Sequence, residues 1–132
     1  MNDTSSLWAR QLEARLECLI QLRRGWDGYQ AGPVTFTNAV FALNMLDRLY
    51  SASIPPPDLV PGYSGDLQAE WHIGNVDIEL HVKGPNEVIA WRETPETGED
   101  GEEISLTNDF TAVGEWIKQL ANSANAIAAA AA

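Results

Sequence analysis

Apolar residues in the first part of the chain recur at helical spacing. Over residues 7–24, Leu7, Trp8, Leu12, Leu16, Leu19, Ile20 and Arg23 are separated mainly by threes and fours with polar residues between, which predicts an amphipathic helix. Ser5 or Ser6 is expected to cap it, and Gly25, following Arg23-Arg24, to stop it. A glycine-rich loop follows to Pro33. Thr35 reads as the N-cap of a second helix over Phe36 to about Tyr50, with Phe36, Val40, Leu43, Leu46 and Leu49 on its apolar stripe.

The period then changes. Pro55 to Pro57, with Pro61 and Gly62, forbid helix and predict an extended, polyproline-type connector. Beyond it, Leu67, Ala69, Trp71 and Ile73 alternate with Gln68, Glu70 and His72, and Val76, Ile78, Leu80 and Val82 continue the alternation up to Lys83. Two half-buried strands follow from this, joined at Gly74-Asn75 by a primed two-residue turn. That turn pairs His72 with Asp77, Glu70 with Glu79 and Gln68 with His81. Gly84-Pro85-Asn86 marks a second turn, Val88 to Arg92 a third strand and Glu102 to Leu106 a short fourth. Thr107 or Asn108 should open a last helix, with Phe110, Val113, Ile117 and Leu120 on its stripe and Trp116 widening it. The order ααβββ(β)α predicts an α+β fold, a two-layer sandwich. An antiparallel meander of three to four strands is covered by helices on one face and leaves its Glu/His/Asp face solvated. One domain spans residues 1–127, and the poly-Ala tail, 128–132, is set aside.

Composition supports a packed domain. The chain has 132 residues, 45% of them hydrophobic, with five Trp as large apolar anchors. Nineteen acids against eight bases give a net charge of −11, which argues against nucleic acid or an anionic membrane as direct partner and favours a basic protein surface. The charge is polarised, since residues 66–103 hold 11 acids and two bases. The lone Cys18 excludes an intrachain disulfide and a cysteine-based zinc cluster, as expected in a reducing cytoplasm. No basic, apolar leader is evident at the N-terminus, and no apolar run approaches the roughly 18 residues of a membrane span. A cytoplasmic protein is expected.

The loop reads Gly25-Trp26-Asp27-Gly28-Tyr29-Gln30-Ala31-Gly32-Pro33, and Glu70-Trp71 follows the prolines on the first predicted strand. In these features, over about residues 7 to 92, the chain resembles a group of small bacterial proteins. Their shared pattern is a Gly-Trp-Asp-Gly-Tyr-x-Ala-x-Pro loop between two helices, then a proline-containing connector and a Glu-Trp strand. The resemblance implies a shared fold and says nothing about chemistry. On physical grounds, Trp26 and Tyr29 are expected to fold back over the helix pair while Asp27 bonds amides freed at the first helix's end. The opposing reading makes Trp26, Asp27 and Tyr29 an exposed recognition loop.

Glu70, His72, Asp77, Glu79 and His81 share the polar face of the hairpin and offer the sharpest chemical alternative, a metal-dependent enzyme. Glu70 faces Glu79 with like charge, however, and neither H-x-H nor H-E-x-x-H spacing occurs, so a solvated sheet face is preferred. An open face also lacks the apolar pocket that would tune a carboxylate for acid–base work. No nucleophile or phosphate-binding motif is present, and no cofactor is expected. Residues 93–103 hold six acids and no base, which predicts a flexible acidic loop. The expected function is a non-catalytic, acidic interaction module. Its candidate partner-binding residues are Glu70, Asp77 and Glu79 on the sheet, Glu96, Glu99, Asp100, Glu102 and Glu103 in or beside the acidic loop, and Trp26, Asp27 and Tyr29 in the glycine-rich loop. Such a module is expected to act by blocking a basic surface on another protein, including one that normally holds nucleic acid, and its size and charge resemble antitoxins, immunity proteins and anti-defence inhibitors of the anti-CRISPR kind. A structural subunit using Trp8, Trp26 or Trp116 in an oligomer contact is the third reading.

Overall fold

Trp8, Leu12, Leu16 and Leu19 fall on one face of helix α1 (Asp3–Ile20), and all four are buried. The computed structural model describes residues 3–131, with side chains from Trp8 onward; the Leu7 side chain lies outside the described residues. Because α1 already begins at Asp3, Ser5 and Ser6 lie inside it and neither is its cap. The helix also stops short of Gly25. The Leu19 carbonyl accepts from the Val34 N–H (3.1 Å), and the chain leaves the helix through tighter bonds from Gln21 N–H to Cys18 O and from Leu22 N–H to Leu19 O. A contact distant in sequence thus ends the helix. Gly25, at φ +85°, instead closes the following loop through its N–H on Ala31 O (2.8 Å).

Thr35 caps helix α2 (Phe36–Arg48) as its sequence context predicts, with Oγ1 accepting from the Asn38 N–H at 3.2 Å. The expected stripe is buried only at its C-terminal end, at Leu46 and Leu49. Ala39, Ala42, Met45 and Leu46 face inward, whereas Phe36 is 70% and Val40 41% exposed. Two apolar stripes share this helix, and the small Ala39 and Ala42 let the one that carries them approach the core closely. The buried Asn38 side chain donates to Gly65 O (2.8 Å), tying α2 to the turn ahead of the second strand.

Five strands form one antiparallel sheet in sequential order: β1 (Asp58–Pro61), β2 (Leu67–Ile73), β3 (Val76–Gly84), β4 (Glu87–Glu93) and β5 (Glu102–Leu106). The hairpin register is the expected one, with His72 opposite Asp77, Glu70 opposite Glu79 and Gln68 opposite His81. Gly74 at φ +60° makes its turn. β1 exceeds the expected strand count because it arises from the proline connector. As an edge strand it needs only one ladder, so Pro61 is tolerated at its end.

Helix α3 (Thr111–Ala131) is opened by Asp109 rather than Thr107 or Asn108, its Oδ1 accepting from the Thr111 N–H (3.0 Å) and hydroxyl (2.6 Å). It runs on into the alanines. Val113, Trp116, Ile117 and Leu120 join one core with Trp71, Ile78, Leu80, Val82, Val88 and Ala90 of the sheet. The fold is therefore an α+β sandwich, with helices on one face of the sheet.

Trp8 and Trp116 are buried in that core, which removes both from the oligomer-contact reading. The Trp8 indole donates to Ile54 O (3.3 Å) and the Trp71 indole to Pro55 O (3.1 Å), so the connector is held by two buried rings whose polar edges are both used. Tyr50 packs edge-on to Trp8 at 5.1 Å. Among the described residues no helix is long and apolar enough to cross a membrane.

Stability should track the observed stripe of α2 rather than the expected one. Met45→Ala, on the observed stripe alone, should cost about 2–5 kcal/mol, and Asn38→Ala about 0.5–1.5 kcal/mol by removing one of the two bonds to Gly65 O, which keeps the Thr35 N–H. Phe36→Ser should stay within about 0.5 kcal/mol in the same denaturant titrations.

Candidate functional site

Alternation places every second residue of the sheet on the face away from the helices. The register aligns Asp58, Glu70, Glu79, Trp91 and Glu103 in one row across all five strands. A neighbouring row holds His72, Asp77 and Glu93. On the other side lie Val60, Gln68, His81, Ile89 and Ser105. The expected Glu70, Asp77 and Glu79 thus come together on one rigid surface.

Their like charges are managed by hydrogen bonds. Gln68 Nε2 donates to Glu70 Oε2 (2.7 Å) and to Glu79 Oε1 (2.9 Å), bridging the two carboxylates. His72 has Nδ1 2.7 Å from Asp77 Oδ1 and Nε2 3.0 Å from Glu70 Oε1. Both ring nitrogens can donate at once only in the imidazolium form. Hydrogen bonds to Glu70 and then Asp77 accordingly push the His72 pKa up to about 9. Burial, followed by the Glu70 charge, raises Glu79 above the ordinary carboxylate range. His81 pairs with Asp66 instead, at 2.5 Å between Nε2 and Oδ2. Burial works to raise Asp66, but the hydrogen bonds from His81 and the Ser64 N–H outweigh it and hold the carboxyl low.

This geometry bears on the metal reading. His72 spends both nitrogens on carboxylates, and His81 turns to Asp66. Among the described residues no three histidine, cysteine or acidic side chains form a group that could hold a metal ion.

The acidic loop is less free than its composition predicts. Thr94 and Thr97 bond each other's backbone and the Glu96 N–H, forming a compact turn. The loop's end lies against Trp91, whose Nε1 donates to Asp100 O (3.3 Å). Gly101, at φ +71°, sits so close to that ring that a Cβ would meet Nε1 at 2.4 Å. Glu96, Glu99 and Asp100 remain exposed, and Glu103 lies on the open face opposite Trp91. Glu102 does not belong with them. Its strand parity turns it to the helix side, where it pairs with Arg92 (3.0 Å), whose guanidinium also bonds Gln119 and lies 4.8 Å from the centre of the Trp116 ring.

The glycine-rich loop divides its three expected residues. Asp27 Oδ1 accepts from the Tyr29 N–H (3.0 Å) and the Ala31 N–H (3.2 Å), organising the loop itself rather than the first helix's end. Trp26 is half-buried, donates to Gly32 O (2.7 Å) and stacks on Tyr63 with centroids 6.4 Å apart, not on the helix pair. Tyr29 is 84% exposed and does not fold back.

Asp58, Asp66, Ile89, Trp91 and Glu93 were not among the expected site residues. Alternation within 87–93 carried the signal for Ile89, Trp91 and Glu93, which share parity with Glu87. Asp58 carried none, because its strand was read as connector. No protein-family model, curated protein or solved structure matches this chain. Function is therefore read from the geometry.

Two measurements check this site. His72 should titrate near pH 9 by NMR, and because its folded pKa lies above the unfolded value of 6.5, its stabilisation is complete below about pH 6.5 and lost as pH rises through about 9. Solvent screening at this half-exposed ring keeps the loss below about 1 kcal/mol, and His72→Gln should abolish that pH dependence. Trp26→Ala should cost roughly 1–3 kcal/mol, between a core aromatic truncation and a surface substitution.

Proposed function

We propose that the protein is a non-catalytic interaction module that sets its open sheet face against a basic surface of another protein and blocks it. The observation that carries this reading is the row of Asp58, Glu70, Glu79 and Glu103 with Trp91 set among them, on the sheet face that no helix covers. A rigid strand lattice spaces the carboxylates for fixed contacts with Arg and Lys, and Trp91 and Ile89 supply apolar area between them. Asp77 and Glu93 extend the acidic field, while Glu96, Glu99 and Asp100 carry it to the loop at the sheet's end.

Such a field attracts a basic protein surface, including one that otherwise holds nucleic acid, and repels DNA and RNA themselves. An inhibitor of the antitoxin, immunity or anti-defence type, working in the cytoplasm, is the role that fits this chemistry. Tyr29, with Trp26 and Asp27 supporting its loop, offers a second contact. The binding set excludes Glu102, which strand parity turns to the helix side against Arg92.

Affinity capture with the full chain, followed by stopped-flow kinetics on the captured partner, tests the reading. Association should slow steeply as salt rises. Glu96→Gln/Glu99→Gln/Asp100→Asn should reduce the association rate with little change in Tm, whereas Glu70→Gln/Asp77→Asn/Glu79→Gln should mainly speed dissociation. A partner whose affinity ignores both salt and all six substitutions would remove the acidic face from function.

A further inference from the structure

Helices α1 and α2 bury their inner stripes against the sheet, and the groove between them on the outer side remains apolar. The exposed Phe36 and Val40 and the half-buried Ile20 and Leu43 flank one depression over the buried Leu16, and a second, past the shared Glu13 and Leu43, is floored by the buried Trp8 and Leu12. From Ile20 back to Ala9 on α1, the groove covers about three helical turns, roughly 16 Å. Phe36 and Val40 keep much of their surface in water there although nothing in the capping of α2 requires it. Glu13 and Glu17 rim the groove on α1 and Asp47 on α2, and among the described residues no basic side chain lines it.

We propose that this α1/α2 groove, on the layer opposite the acidic sheet face, docks an amphipathic helix of another protein whose apolar stripe is flanked by lysine or arginine. A helix suits the site because its own backbone is satisfied, whereas an added strand would find the backbone groups of α1 and α2 already paired. Apolar residues at positions i, i+3 or i+4, and i+7 fill a groove of this length. The acidic rim on both sides selects basic flanks. A second copy of this chain is opposed by charge, since it would set Glu13, Glu17 and Asp47 against the same three acids and bring together two chains of net charge −11.

A fluorescent synthetic helix of about five turns, with leucines on one face and lysines flanking them, is the probe, and the same peptide with glutamates for lysines is the control. Fluorescence anisotropy with the full chain should show binding of the lysine peptide and none of the glutamate peptide. Phe36→Ser/Val40→Ser and, separately, Glu13→Lys/Glu17→Lys should each weaken binding by about tenfold or more. Glu70→Gln/Glu79→Gln, on the other layer, should change it by less than about twofold. Circular dichroism melts of each variant confirm the fold. Three results overturn the proposal: no binding of the lysine peptide, weakening by the sheet-face variant but not by the groove variants, or a dimer of the unmodified protein that Phe36→Ser dissolves, which would make a second copy the occupant.

Discussion

An antiparallel sheet with one apolar face lowers its free energy by removing that face from water, and the rest of this molecule is organised around that requirement. Trp71, Ile78, Leu80, Val82, Val88 and Ala90 make the face, and each of the three helices spends one apolar stripe on the same core. The connector crosses the end of the same core and would bring unpaired carbonyls with it. Trp8 and Trp71 resolve this by donating to Ile54 and Pro55 while their rings remain buried. Burial and polar satisfaction are met by the same two side chains, and among the described residues no buried side-chain nitrogen or oxygen lacks a partner.

One-sided burial also leaves the second face free of packing demands, and that face carries the charge. Glutamates directly opposite one another would ordinarily weaken a strand pair. Here Gln68 places its amide between Glu70 and Glu79, and His72 in its cationic form sits between Glu70 and Asp77. The face thereby remains acidic overall while its closest carboxylates are held in place. Order of this kind lowers the entropy lost on making fixed contacts, which is what the proposed docking requires.

The two layers consequently offer different chemistry to the two sides of the molecule. The sheet side is open, acidic and hydrogen-bonded, whereas the helix side has an apolar furrow with acidic edges. Arg92 joins β4 and β5 to α3 between them, through Glu102, Gln119 and the Trp116 ring. On the proposed reading, the two surfaces would engage two elements of a target, each by a separate interaction.

Local physics made much of this legible in the amino-acid sequence. Alternation and the Gly74-Asn75 turn determined β2, β3, their register and the hairpin's own share of the acidic face, because a two-residue turn leaves a strand pair no freedom to slip. Thr35 likewise determined the start of α2 through a bond to a neighbour three residues away. Other features depended on residues far apart in the chain. The end of α1 was decided by Val34 taking the Leu19 carbonyl, β1 by a ladder to β2 that its prolines disguise, and the fate of Glu102 by Arg92 across a strand pair. The choice between two apolar stripes on α2 was made by which one the sheet and α1 could approach closely. Period alone could not make that choice, since spacing records that a stripe exists but not which neighbour will cover it.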